Sequence, residues 1–174
     1  MFGEHAEGHK LSIPTRGQLA RTITDLDINM SFEPNQFRRL IKSTLLPVDS
    51  RLCSVAAVEL LMLTAAAESQ LGRYLYQVNG PALGVFQIEP DTAYDIRDRL
   101  FHEFGLPGFH TAQLVYSLRI SIIVARLKYW DFPEPLPHER QIKKLAEYYK
   151  RYYNTSAGKA TPDKALEAYW RFCY

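Results

Sequence analysis

Beyond residue 33 the apolar positions fall mostly into helical rows. Pro34-Asn35 opens one row, through Phe37, Leu40, Ile41 and Leu45, and Pro47 ends it. Residues 52–68 are apolar nearly all round, from Val55-Ala56-Ala57-Val58 to Ala65-Ala66-Ala67. A helix of that kind must be covered on most sides, so this one is expected to be central, with Asp49 or Ser50 as its N-cap. Residues 69–88 lose the helical period. Gly72, Gly80, Pro81 and Gly84 punctuate Tyr74, Tyr76, Val78 and Val85, which reads as a loop or a small β-hairpin. Pro90-Asp91 starts another helix through Ile96 and Leu100, which Gly105, Pro107 and Gly108 break. The period predicts one amphipathic helix over 111–130. A stiff linker with Pro133, Pro135 and Pro137 leads to helices over 138–153 and 162–172, the last capped by Thr161. Before residue 34 the pattern changes. Leu26, Ile28, Met30 and Phe32 alternate with Asp25, Asp27, Asn29 and Ser31, as in an edge strand or an ordered arm. The expectation is a mainly α domain over 34–174, with a loop or hairpin region at 70–88, preceded by an arm over 1–33.

Length permits one such domain with a real core. The net charge of +2, from 21 basic and 19 acidic residues, lacks the concentrated basic footprint of a nucleic-acid binder, so no nucleic-acid partner is expected. Lys143, Lys144, Lys150 and Arg151 make a basic face that is either solvated or turned to an anionic polymer. The N-terminal residues are polar, with His5 and His9, and contain no apolar core of a secretory signal. The most apolar stretch is too short to span a membrane and contains Glu59. The two cysteines, Cys53 and Cys173, show no metal-ligand spacing, and His102, His110 and His138 are scattered. No metal or cofactor is expected. The thiols read most simply as buried and reduced.

The residue with chemical promise is Glu68. It follows three alanines at the end of the most apolar helix. Burial penalises the charged form of a carboxyl group, and the negative end of a helix dipole does so too. Both hold the proton on, as an acid needs if it is to protonate a leaving oxygen near neutral pH. The competing reading is a solvated glutamate at a frayed helix end.

Three short motifs extend this picture. Glu68-Ser69 resembles the "ES" motif of lytic transglycosylases, and Gly84-Val85-Phe86-Gln87-Ile88 resembles their "GLMQI" motif. Pro90, Thr92 and Ala93 continue the match, and Tyr153-Asn154 is similar to the "YN" of their "AYNAG" motif. In order and spacing the set resembles the lysozyme-like superfamily of lytic transglycosylases and goose-type lysozymes, over residues 55–155. The run Gly80-Pro81-Ala82-Leu83-Gly84 through Pro90 also looks like phage-encoded members. The resemblance implies an α+β lysozyme-like fold and cleavage of the β-1,4 bond between N-acetylmuramic acid and N-acetylglucosamine. Glu68 would be the general acid. Ser69 would orient substrate or cap the following loop. Gln87 would contact the sugar or support the acid. Tyr153 would hydrogen-bond near Glu68 or pack in the core, and Asn154 would hold the turn after its helix. The partner would be the glycan strand of peptidoglycan, together with virion proteins if the chain is particle-borne. A phage virion, or the host cytoplasm before delivery to the wall, would account for a wall-degrading protein without a signal peptide.

The sequence departs from the family pattern in informative places. "AYNAG" is here Tyr152-Tyr153-Asn154-Thr155-Ser156, Pro81 stands where many members have Gly, and Glu89 replaces a usually apolar residue. Goose-type lysozymes carry an acid near that place. A transglycosylase can act with one carboxyl group, whereas an inverting hydrolase needs a second to activate water. Glu89 and Asp91 are the candidates for that base, unless they only complement the helix beginning at Pro90. The contrasting expectation is a structural virion protein that keeps the fold without activity.

Overall fold

The computed structural model describes residues 31–154 and 160–174. Seven α-helices lie among them, joined by irregular segments and without a named strand. The chain divides into residues 1–30 and a second unit over 31–174. The arm expected over 1–33 and its alternating pattern therefore fall almost wholly outside the described residues. Ser31 and Phe32 belong to the second unit. The Ser31 hydroxyl donates to the Gln70 carbonyl at 2.8 Å, and the Phe32 amide donates to that of Leu71 at 3.0 Å.

Helix α1, Pro34–Leu45, starts where Pro occupies the first turn and the Glu33 carboxylate accepts from the amides of Asn35 and Gln36. Its inner face is Phe37, Ile41, Thr44 and Leu45. Helix α2, Val55–Ser69, is the central element, and Leu60 through Leu63 are at most 1% exposed. Burying a side chain of that size contributes about 1.5–3 kcal/mol, and this run supplies four such side chains in succession. The expected cap is corrected. Asp49 caps a separate 3₁₀ turn, Ser50–Leu52, and Ser54 caps α2 by accepting from Ala57 N at 3.0 Å. Cys53 lies between them in neither helical nor extended backbone, and the Leu52 carbonyl accepts from Arg126 Nε instead of continuing a helix.

Of the two glutamates in α2, Glu59, near its middle, is paired. Arg38 of α1 holds Glu59 through Nε–Oε1 at 2.8 Å and Nη2–Oε2 at 3.1 Å, and Tyr169 donates to the same carboxylate at 2.6 Å. This pair is largely withdrawn from water, so its two hydrogen bonds and the tyrosine compensate for lost hydration. Tyr169 belongs to α7, Pro162–Cys173, capped by Thr161 as expected. Cys53 and Cys173 are free thiols, and burial pushes the latter up to about 12.

After α2 the chain turns sharply. Residues 76, 83 and 88 are linked by two isolated antiparallel bridges, Tyr76 with Leu83 and Leu83 with Ile88, in place of a hairpin with regular strands. Helix α3, Pro90–Ile96, runs on into a π-helical turn, Arg97–Phe101. The single helix expected over 111–130 is two: α4, Gln113–Tyr116, and α5, Leu118–Trp130. They break at Ser117, whose backbone is extended and whose hydroxyl accepts from Ile120 N. The apolar rows continue through the break, which explains why the period hides it. Helix α6, Ile142–Tyr152, starts later than residue 138, because His138 to Gln141 form a separate turn.

Candidate functional site

Glu68 sits in the last turn of α2, where the helix stops in a left-handed turn. Gln70, Leu71 and Gly72 have φ of 54°, 55° and 88°. Positive φ costs a residue with a Cβ on the order of 1–2 kcal/mol, so two such non-glycine positions in succession mark a turn that the surroundings enforce. Ser69 is fully buried and fastens this turn. Its Oγ donates to the Ala65 carbonyl at 3.0 Å and accepts from Gly72 N at 2.8 Å. Of the two roles expected of Ser69, the structure shows the cap of the following loop, made by a side chain with no exposed surface.

The Glu68 side chain is half-buried between α2, α5 and α6. Tyr149 of α6 donates its hydroxyl to Glu68 Oε1 at 2.7 Å. The Asn154 side chain acts on both Glu68 and Tyr149, lowering the pKa of each, and its Oδ1 accepts from Lys150 at 3.2 Å. Lys128 of α5 brings a positive charge near the same carboxyl group. Burial dominates these influences and pushes the Glu68 pKa up, against the lowering effects of Tyr149, Lys128 and Asn154. Burial also pulls Lys128 down, opposed by the charges of Glu68 and then Glu89.

Tyr153 does not donate to Glu68. It is buried, and its hydroxyl donates to the Phe86 carbonyl at 2.8 Å, which ties the end of α6 to the 84–88 loop. The expectation that Tyr153 bonds near the acid is corrected to Tyr149, one helical turn earlier on the same face. Lys128 is fixed from beneath, donating to the Tyr153 carbonyl at 2.8 Å with its Nζ 3.8 Å from that ring's centroid. Tyr149 and Lys128 were not legible as site residues. Tyr149 is one of four tyrosines between 148 and 153, and Lys128 is one of several cations along the sequence.

Gln87 has φ of 45°, and its Nε2 donates to the Gly84 carbonyl at 2.8 Å and the Tyr74 carbonyl at 3.3 Å. Its amide nitrogen thus shapes the 84–88 loop. Glu89 is exposed and precedes α3 without capping it through its side chain. A capping role therefore does not occupy this carboxylate. Asp91 is exposed in the first turn of α3, as a helix-start acid would be.

Chemically, the arrangement holds a carboxyl group in a poorly solvated place, where burial makes it keep its proton more tightly than usual, beside three polar groups that favour its charged form. Among the described residues no group of His, Cys, Asp and Glu is placed to hold a metal ion, and no helix is long and apolar enough to cross a membrane. No protein-family model, no curated protein and no solved structure matches the chain.

Proposed function

We propose that this protein cleaves the β-1,4 glycosidic bond between N-acetylmuramic acid and N-acetylglucosamine in peptidoglycan, with Glu68 as the general acid. The observation that carries this reading is a glutamate withdrawn from water at the end of the central helix, with the Tyr149 hydroxyl 2.7 Å from its carboxyl group; burial pushes its pKa up although Tyr149, Lys128 and Asn154 oppose the shift. Such a carboxyl group donates its proton to the leaving oxygen as the bond breaks. The Tyr149 hydroxyl, the Asn154 amide and the Lys128 ammonium then hold the carboxylate. The ordered motifs around Glu68, Gln87 and Tyr153-Asn154 support the substrate class, and the run from Gly80 to Pro90 supports a phage-encoded wall-degrading protein, either an endolysin or a virion component.

Glu89 is proposed as the base that activates water, which makes the reaction a hydrolysis. Its exposed, uncapped carboxylate and its electrostatic reach to Lys128 support that role. Purified cell wall, digested and analysed by mass spectrometry, tests both proposals. Reducing ends are expected from the unmutated protein, and Glu89→Gln should lower their yield at least about tenfold. Predominant 1,6-anhydro ends would remove Glu89 from the chemistry and leave Glu68 as the single reacting carboxyl group. Absence of any cleavage would instead favour a structural virion protein.

Tyr149→Phe tests the hydrogen bond to the acid. The bond lowers the Glu68 pKa, so losing it should move the high-pH limb of the rate profile further up. The maximal rate should fall about tenfold through poorer positioning of the carboxyl group. An unchanged limb in a folded variant would show that Tyr149 does not act on Glu68.

A further inference from the structure

A cavity of about 420 Å³ opens between the end of α5, the proline-rich segment after it and α6. Arg126 lines it and is 5% exposed. The guanidinium donates from Nε to the Leu52 carbonyl at 2.7 Å. Among the described residues it forms no ion pair, and its two terminal nitrogens have no hydrogen-bond partner there. Arg38 shows how the same chain treats its other well-buried arginine: a carboxylate meets it in a two-pronged pair. Burial lowers the Arg126 pKa to about 10, still far above neutrality, so the cavity carries a standing positive charge. The terminal nitrogens keep a little exposure, and a charge so nearly withdrawn from water favours an anion that can reach them.

The walls determine which anion. Trp130 lies under the guanidinium at 5.3 Å from ring centroid to Cζ, and Tyr148 is clamped by donating its hydroxyl to the Glu134 carbonyl at 2.9 Å. With Phe132 they give the lining aromatic faces, and Leu136 adds an aliphatic one. The exposed Glu134 at the mouth adds a negative charge that disfavours dianions. A guanidinium with Nε already engaged offers the remaining nitrogens to a planar, two-oxygen acceptor. We propose that this cavity is a binding site for a monocarboxylate with an apolar body, the carboxylate seated on Arg126 and the body against Trp130 and Tyr148. Lys128, two residues further along α5, serves the Glu68 cluster, so this site stands independently of the proposed cleavage reaction.

Titration of the full chain with benzoate, followed by calorimetry and by NMR of the arginine side chains, tests the site. Benzoate should bind with a dissociation constant near or below about 1 mM and shift the Arg126 guanidinium signals. Benzamide, of the same shape without the charge, should bind at least about tenfold more weakly, as should inorganic phosphate. Arg126→Gln should lose the benzoate affinity by a similar factor. If that variant does not fold, the benzoate–benzamide pair on the unmutated protein decides alone. Acetyl-phenylalanine and a longer peptide ending in free phenylalanine identify the source: tighter binding of the peptide assigns the site to a peptide C-terminus, and equal binding to a free acid, either upholding the proposal. No saturable binding by 10 mM benzoate, or equal affinity for benzoate and benzamide, or for benzoate and phosphate, would overturn it.

Discussion

Glu68→Gln is expected to reduce peptidoglycan cleavage by about 10²–10⁴-fold, the range that general acid catalysis supplies, with helical content unchanged. Glutamine preserves the shape and can still accept the Tyr149 hydroxyl, so what disappears is the transferable proton. Release of soluble wall fragments measures the effect, and cleavage at more than a tenth of the original rate would dismiss Glu68 as the acid. The same substitution has a second consequence, in stability. Because the folded protein raises the Glu68 pKa, it binds this proton more tightly than the unfolded chain does. The resulting stabilisation is complete below about pH 4, the ordinary glutamate range, and is lost as pH rises through the folded-state pKa. Glutamine does not ionise. The variant should therefore gain stability relative to the unmutated protein as pH rises from 4 to 8. Denaturant melts at the two pH values check the sign, and a relative loss at pH 8 would contradict it.

Gly84→Ala should destabilise the fold by about 2–5 kcal/mol and disorganise the 84–88 loop. Gly84 has φ of 75°, where a side chain is already strained. A Cβ there would stand 2.0 Å from the Leu114 carbonyl oxygen, a backbone atom that cannot swing aside. The Gly84 amide also donates to the Leu75 carbonyl at 2.8 Å, and its own carbonyl accepts from Gln87, so displacement propagates to both sides of the loop. Thermal unfolding measures the loss. A melting temperature within a degree or two of the original would mean that the approach of α4 to this loop is looser than the geometry requires.

The sequence was most legible where a local rule and the tertiary demand agree. Pro34 and Thr161 mark helix starts that the fold uses, and the apolar run into Glu68 does become the buried central helix. It was least legible where a long-range contact decides. Nothing local separates Asp49 from Ser54 as the cap of α2; the capture of the Leu52 carbonyl by Arg126, from a helix far along the chain, accompanies the interruption. The break at Ser117 leaves the Leu114 carbonyl against Gly84, a neighbour that periodicity cannot see. In the site, an acid placed after three alanines was readable because burial follows from its immediate neighbours. Which tyrosine meets it was not. That depends on the rotation of α6 about its axis, and the rotation that sends Tyr153 to the Phe86 carbonyl sends Tyr149 to the carboxyl group.

The position of α2 has a consequence for the order of synthesis. This helix packs most extensively against α7, and Tyr169 from that helix completes the cluster around Glu59. A ribosome therefore makes the most apolar segment of the described chain roughly a hundred residues before its main cover. Nascent chains that have passed α2 but lack α6 and α7 must carry an uncovered greasy surface, a natural target for chaperones and a seed for aggregation. They also lack Tyr149 and Asn154, so the Glu68 cluster assembles only late. On the proposed reading, stalled or shortened translation products would be insoluble and inert, and activity would appear only after the last two helices had docked.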